Sequence, residues 1–348
     1  MSRTPSVAAA LALAVAGALA LSSCSGAASA PAEAGADAAQ ERTLTVYSGR
    51  DEELVAPLIE QFEEASGIDV EVRYAGSTEL AAQILEEGDR TPAQVFLSQD
   101  SGSLGALDAE GLLATLPADI TSAVPAEYTS TDGSWVGLTG RARVVAYDSQ
   151  TYTADQIPAD VWELTKPEWN GKVAIAPSNA SFQAFVTALR VAEGEDRARQ
   201  WVEAMVANGV QRYAKNGEIL EAVNSGAVPL GLINHYYWAR SEQDPTTLRA
   251  QLKFGEPGSV SSLVNVTGAG VLAGSTESAE AREFVQYLVS VPAQEYFAQE
   301  TFEYPLVDGV TAPAGVPALS ELGGADIDLA QLSSVQQTVD LLTATGLL

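Results

Sequence analysis

The chain has 348 residues, a net charge of −28 at pH 7 and a hydrophobic content of 46%. The length is enough for two ordinary domains, and the hydrophobic content supports a large core. The negative charge is spread along the chain, so it would repel a polyanion and attract cations. We therefore expect no nucleic-acid partner.

The first residues have the composition of an export signal. Arg3 supplies a positive charge, and residues 7–21 form an almost purely Ala/Leu/Val stretch. That stretch is too short to span a bilayer comfortably, and no second hydrophobic segment follows it. Cys24, the only cysteine of the chain, comes directly after Leu21-Ser22-Ser23, which resembles the lipobox of bacterial lipoproteins. A single cysteine at this place argues against a disulfide or a cysteine metal site, so we expect lipidation of Cys24.

The next segment lacks the periodicity of a folded element. Residues 25–40 are rich in Ala, Ser, Gly, Pro and acidic residues, a composition typical of a flexible tether. We predict a signal peptide over residues 1–23 and a tether over residues 24–41. Removal of the signal leaves 325 residues (348 minus 23).

Strand and helix patterns alternate along the rest of the chain. Strands are predicted where β-formers alternate, and helices where apolar residues recur three or four positions apart. The predicted elements are strand 43–46, helix 51–65, strand 70–72, helix 78–87, strand 95–97, strand 173–176, helices 182–193, 197–206 and 219–223, strand 229–233, glycine-containing strands within 260–272, and helix 279–289. This alternation predicts parallel sheets with helices on both faces, arranged as two α/β lobes.

Two adjacent tyrosines follow the strand that ends near Ile233. Tyr236 and Tyr237 come directly after His235, the only histidine of the chain. A phenol has a pKa of about 10 in water, but a hard, highly charged cation stabilises the phenolate and lowers that pKa. Oxygen ligands suit hard cations, and tyrosinate is a known ligand of ferric haem iron. The pair fits a ferric-iron site, whereas the alternative is an aromatic pair that only packs at the strand end.

The sequence lacks the signatures of common enzyme classes. A single histidine excludes the two-histidine zinc helix and any multi-histidine metal cluster. No nucleophile elbow, phosphate-binding lysine loop or glycine-rich dinucleotide fingerprint follows a strand. The 46 acidic residues could include a carboxylate pair for glycoside hydrolysis, but no motif identifies such a pair. We interpret the chain as a binding protein rather than an enzyme.

Several segments resemble the bacterial ferric-ion-binding proteins, which are the substrate-binding components of ABC iron importers. The similar segments follow one another in order and are residues 44–49, 86–93, 140–145, 213–216, 232–238 and 303–306. The resemblance implies an α/β fold of the type II periplasmic binding protein class, with two lobes, a hinge and a ligand cleft between the lobes. We expect the N-terminal lobe to comprise 42–141 and 267–317, and the C-terminal lobe 142–266 and 318–348.

The resemblance also implies a site that binds Fe(III) together with a synergistic anion such as phosphate, carbonate or citrate. Tyr236 and Tyr237 match the tyrosine pair that binds Fe(III). The anion is expected at a turn that precedes a helix, because a helix N-terminus offers free N–H groups and a positive dipole end. The residues expected around the anion are Asn179, Ala180, Ser181, Asn216, Asn234 and Arg141.

Two positions depart from the pattern of that family. Asp51 stands where well-known members have a ligand histidine, and Gln99 stands at the position of their ligand glutamate. Asp51 offers a hard carboxylate ligand, although an acid at a helix start is favourable without any metal. A site with fewer protein ligands keeps water or a chelator on the metal. Ferric citrate, ferric phosphate or a siderophore fragment is then as good a candidate as bare iron.

The sequence leads to one expectation with two alternatives. We expect a monomeric, lipid-anchored extracytoplasmic receptor, on the surface of a Gram-positive bacterium or in a periplasm, that delivers ferric iron or a ferric chelate to an ABC permease. The first alternative is a receptor for an oxyanion or organic phosphate without metal, and the second is a secreted hydrolase. We expect Arg143 to pack or form a salt bridge. His235 is expected at the surface or behind the ligands, because strand alternation directs it away from Tyr236.

Overall fold

The computed structural model describes residues 42–275, 278–324 and 327–348. The expected signal peptide 1–23, the tether 24–41 and the lipidation site Cys24 lie outside the described residues. Within the described residues, no helix is long and apolar enough to cross a membrane.

The secondary-structure elements alternate as the sequence predicts, and each predicted helix coincides with an observed helix. The strands are β1 (Arg42–Ser48), β2 (Ile68–Tyr74), β3 (Val95–Ser98), β4 (Val136–Asp148), β5 (Val173–Ile175), β6 (Gln211–Arg212), β7 (Leu230–Asn234), β8 (Ala250–Phe254), β9 (Val264–Val271) and β10 (Tyr304–Pro305). The α-helices are α1 (Glu52–Ser66), α2 (Ser77–Glu87), α3 (Ser101–Ala109), α4 (Ala118–Thr121), α5 (Ala180–Glu193), α6 (Glu195–Ala207), α7 (Asn216–Ser225), α8 (His235–Ala239), α9 (Ala279–Leu288), α10 (Val291–Tyr296), α11 (Leu319–Leu322) and α12 (Val335–Ala344).

Helix α1 illustrates how the sequence pattern produces the packing. Leu54, Leu58 and Phe62 recur at helical spacing, and all three are buried against the core. Burying one such side chain contributes about 1.5–3 kcal/mol to stability. The helix ends at Gly67, which adopts a left-handed conformation (φ 68°) and donates its N–H to the carbonyl of Glu63.

The sheet is mixed: it contains parallel strands, as the alternation predicts, together with antiparallel strands that the alternation does not predict. Strand β1 pairs in parallel with β2 and β3, and β5 pairs in parallel with β6 and β7. Strands β4 and β9 instead run antiparallel to their neighbours. The strand order is β2-β1-β3-β9-β4-β7-β5-β6, with β8 and β10 also paired to β4. The alternation of strands and helices predicts only the two parallel groups. It does not predict β4 and β9, which connect these groups.

Strand β4 joins the two groups of strands that form the two lobes. Its residues 136–142 pair with β9, and its residues 143–148 pair with β7 and β8. The partner changes between Ala142 and Arg143, in the middle of a 13-residue strand that is buried throughout. A strand shared in this way connects the two lobes through its own backbone. The expected lobe boundaries stay a prediction.

The C-terminal segment contacts both parallel groups. Helix α12 packs against α5, and the short helical turn before it, Leu329–Ser333, packs against α3. Helix α3 follows β3, whereas α5 follows β5. The segment therefore forms one wall of the space between the lobes.

Candidate functional site

The tyrosine pair lies on a short helix that begins where β7 ends. Asn234 is the N-cap of α8 with an extended backbone (φ −89°, ψ 145°). The rings of Tyr236 and Tyr237 stack with centroids 4.4 Å apart and an angle of 27° between their planes. Tyr236 is buried and Tyr237 is half-buried, so one phenol faces the interior and its neighbour is open to a ligand. This arrangement places the two rings side by side at the start of α8.

Three arginines are buried close to this pair. Arg141 and Arg143 lie two positions apart on β4, and therefore on the same face of the strand, at the point where it changes partner. Arg50 follows the end of β1. All three guanidinium groups are removed from solvent. A buried charge is costly unless it is paired, so the partners of these groups define the chemistry of the site.

The arginines have fewer partners than donors. Arg50 Nη2 lies 2.7 Å from Glu303 Oε1 in a fully buried ion pair. Arg141 donates to the carbonyl of Gln99, and the guanidinium of Arg143 lies over the ring of Phe185 at 5.8 Å from its centroid. Within the described residues, four N–H-bearing atoms of these side chains are buried without a hydrogen-bond partner: Arg50 Nε, Arg141 Nε, Arg141 Nη1 and Arg143 Nη1. An orphaned buried donor costs about 1–3 kcal/mol, more when it is charged, so the arrangement favours an anion.

The charges around the tyrosines are predominantly positive. Glu303 balances the charge of one of the three arginines. Burial raises the pKa of Asp100, although hydrogen bonds from Ser103 and the charge of Arg141 act to lower it. Burial, followed by the like charge of Arg141, lowers the pKa of Arg143 to about 9. The site therefore carries excess positive charge inside a protein whose net charge is −28.

Burial raises the pKa of Tyr236, and its neighbour Tyr237 raises it further. The charges of Arg141 and Arg50 act in the opposite direction. The phenol is therefore neutral near neutral pH in the absence of a ligand. A cation at the hydroxyl group would supply the missing stabilisation of the phenolate.

The turn expected to bind an anion is held together by its own side chains. Asn179 is the N-cap of the 14-residue helix α5, and its Oδ1 accepts from the backbone N–H of Ser181 at 3.0 Å. Asn216 Nδ2 donates to Asn179 Oδ1 at 3.2 Å and to Ser181 Oγ at 3.1 Å. Ala180 is the first residue of the helix. The structure brings these four residues together, and an anion at this point would exchange the internal hydrogen bonds for its own.

Asn234 lies directly beside the arginines. It is buried, and in the β4–β7 ladder its Cα partner is Arg143. Because it also caps α8, Asn234 connects the arginine strand to the tyrosine helix. Of the residues expected around the anion, Asn234 and Arg141 thus lie near the point where β4 changes partner, and the other four lie at the starts of α5 and α7.

The two residues that depart from the family pattern, Asp51 and Gln99, differ in their exposure to solvent. Asp51 is exposed at the N-cap of α1 and makes no side-chain capping hydrogen bond. Gln99 is half-buried, and its N–H donates to Ser77 Oγ at 2.8 Å. Among the described residues, no group of three or more His, Cys, Asp or Glu side chains is positioned to hold a metal ion.

Of the two positions expected for His235, the surface is excluded, whereas a position behind the tyrosine pair stays a prediction. His235 is fully buried rather than at the surface, and its Nδ1 accepts the N–H of Ala142 at 3.1 Å. Its ring lies 4.4 Å from the ring of Tyr304, and burial lowers its pKa to about 3. The argument from strand alternation was wrong, because residues 235–239 are helical and successive side chains are rotated by about 100°. The neutral imidazole fixes the backbone at the residue where β4 changes partner.

Sequence reasoning missed Arg50 and Glu303 as parts of this site. Their ion pair joins residues 253 positions apart, and Thr139 Oγ1 donates to the second carboxylate oxygen at 2.5 Å. No spacing rule connects residues so distant along the chain. The only available signal was a charged residue within an otherwise apolar segment, because such residues are rarely buried unless paired.

Comparison with known proteins gives consistent similarities. A family model described as bacterial extracellular solute-binding protein matches residues 90–322. The Fe(3+)-binding periplasmic protein of Serratia marcescens is 33% identical over 321 residues, which cover 90% of this chain and 94% of that protein. The structure of iron-bound HitA from Pseudomonas aeruginosa matches with a TM-score of 0.82 and 31% identity, over 88% of this chain and 99% of that one. A Trichodesmium protein in complex with iron and citrate matches with a TM-score of 0.75 and 25% identity, over 87% and 99% of the two chains.

Proposed function

Because this chain belongs to the bacterial extracellular solute-binding proteins, and within them to the periplasmic ferric-ion-binding proteins, we propose that it binds ferric iron through tyrosinate ligands and a synergistic anion and delivers it to an ABC permease. Its relatives are named as ferric-iron-binding proteins, and the family transports solutes. The remaining question is which groups of this chain hold the metal.

The observation that carries the proposal is the stacked pair Tyr236 and Tyr237 next to buried arginines with unpartnered donors. Fe(III) bound by two phenolates keeps one positive charge, and the arginines add to it. A co-bound anion such as phosphate, carbonate or citrate neutralises this charge and accepts the free N–H groups. The anion would therefore complete both the charge balance and the metal coordination.

The anion has two candidate positions in this proposal. One is the turn of residues 179–181 with Asn216, where the helix dipole of α5 favours negative charge. The other is Arg141, whose Nε and Nη1 can bind a carboxylate or carbonate in bidentate fashion. Asp51 would add a carboxylate oxygen when the lobes close, since it follows Arg50 directly in the chain.

Capture would follow from closure of the two lobes about β4. A ligand that contacts Tyr237 on one side and Arg50 or Gln99 on the other is bound by both lobes and shifts the population to the closed state. Lipidation at Cys24 and the tether 24–41 would keep the receptor near its permease as a monomer outside the cytoplasm. Protonation of the phenolates, reduction of the iron or loss of the anion would release the metal.

A second candidate function is a receptor for an oxyanion or organic phosphate without metal. The excess of buried positive charge favours it. Calorimetric titration separates the two candidates: we expect ferric citrate to bind in a stoichiometry of one iron per protein, whereas phosphate or citrate alone binds at least about a hundredfold more weakly, because the phenols contribute only with the metal. Equal affinity for the anion with and without iron would refute the ferric-binding function.

A further inference from the structure

A cavity of about 460 Å³ opens between helix α2 and the C-terminal helix α12. This volume lies within the range of about 300–1,000 Å³ that is typical of small-molecule sites. Most of the surface exposed in it is apolar, and Ala82, Leu85, Ala106 and Val339 line it together with polar residues such as Gln183 and Gln336. Leu85 is 42% exposed, so this apolar surface is in contact with solvent when the cavity is empty. An apolar body would therefore gain free energy by entering the cavity.

The lining of this cavity includes two of the residues considered above for the metal and the anion. Gln99 and Ala180, the first residue of α5, both line it. The carbonyl of Gln99 accepts a hydrogen bond from Arg141, whose Nε and Nη1 are buried without partners in the described part of the chain. The backbone carbonyl of Gln99 thus links the lining of the cavity to a cation that has unpartnered donors.

We infer that the cavity holds the apolar body of an aromatic chelator, so that the transported species is a ferric catecholate complex. This inference rests on the proposed ferric-binding function. The catecholate oxygens would occupy coordination positions that protein side chains leave open at Tyr236 and Tyr237. Negative charge on the complex would face Arg141, and the aromatic ring would lie between α2 and α12. Citrate, which is polar along its whole length, would leave the apolar wall unfilled.

Substitutions that place a large side chain in the cavity, from α2 or from α12, test this inference. Ala82 is exposed on α2, so Ala82→Phe adds a ring in the cavity without disturbing the core, and Val339→Trp does the same from α12. Ala207→Phe, at the exposed end of α6, is the matched control. Binding of the ferric complex of 2,3-dihydroxybenzoate and of ferric citrate is measured by calorimetry on each protein. Thermal unfolding is recorded to establish that each variant is folded.

We expect both cavity-filling variants to lose about tenfold or more in affinity for the ferric dihydroxybenzoate complex, since the contact area of a ring is lost. Affinity for ferric citrate should stay within about twofold, and Ala207→Phe should change neither affinity. Equal loss for both complexes, or no loss for either, would overturn the catecholate assignment while leaving the ferric function in place. A wild-type protein that binds neither complex would overturn the proposed function as well.

Discussion

The buried ion pair between Arg50 and Glu303 allows a quantitative test of the electrostatic structure of the site. The two side chains are 1% and 0% exposed, and the carboxylate also accepts the hydroxyl of Thr139 at 2.5 Å. Glu303→Gln keeps the shape and an acceptor for Thr139 but removes the negative charge. Arg50 is then left as an uncompensated buried cation.

Removing one partner of a buried ion pair costs about 3–5 kcal/mol, because the remaining charge stays desolvated. We therefore expect Glu303→Gln to lower the free energy of unfolding of the iron-free protein by about that amount. The control is Glu280→Gln, which removes one partner of Arg42 in a pair whose side chains are 38% and 24% exposed. Exposed pairs contribute about 0–1 kcal/mol.

Urea unfolding followed by circular dichroism measures both changes. The proteins must be free of iron and anion, because a bound ligand adds its own stabilisation. A loss below about 1 kcal/mol for Glu303→Gln, equal to that of the control, would refute the argument that this pair balances a buried charge.

Three further predictions concern the phenols and a second ion pair. Tyr236→Phe and Tyr237→Phe should each weaken ferric binding by about a hundredfold or more. The control Tyr287→Phe changes a tyrosine on α9 and should leave ferric binding unchanged, so equal effects of all three substitutions would contradict the site. Ferric affinity should rise about tenfold per pH unit for each proton released, because a phenol must lose its proton to bind the metal and burial raises the pKa of Tyr236. Binding titrations at several pH values that show the same ferric affinity would exclude phenolate ligation. Hydrogen bonds from Arg249 lower the pKa of Asp148 to about 2, so the stabilisation from this carboxylate is present above the ordinary carboxyl pKa and is lost as the pH falls towards 2. Asp148→Asn should therefore lower the free energy of unfolding by about 2 kcal/mol at neutral pH and by less at low pH, as measured by urea unfolding at both.

The elements with regular apolar spacing could be predicted from the sequence. Helix α1 and strand β1 follow directly from periodicity, whereas the tyrosine pair is a candidate iron site from residue chemistry together with the family resemblance. Strand β4 was not predicted, because Arg141 and Arg143 interrupt its apolar pattern at its centre. These residues are buried only because two lobes meet there, and such a tertiary environment overrides local propensity.

The partners of the arginines were also beyond sequence reasoning. The Arg50–Glu303 pair is created by the return of the chain after α10, and the hydrogen bond from Ala142 to His235 depends on how β4 crosses between lobes. The cavity between α2 and α12 requires knowledge of which helices face each other. Resemblance to a family suggested the ligands, but only the packing reveals the excess of buried positive charge.

The central claim is that Tyr236 and Tyr237 bind ferric iron as phenolates. A visible-absorbance titration with ferric citrate, with and without phosphate, tests it most directly, since tyrosinate bound to Fe(III) gives a charge-transfer band. We predict a band that saturates at one iron per protein and is absent from the double variant Tyr236→Phe/Tyr237→Phe. Iron binding without such a band, or an unchanged band in the double variant, would contradict the account.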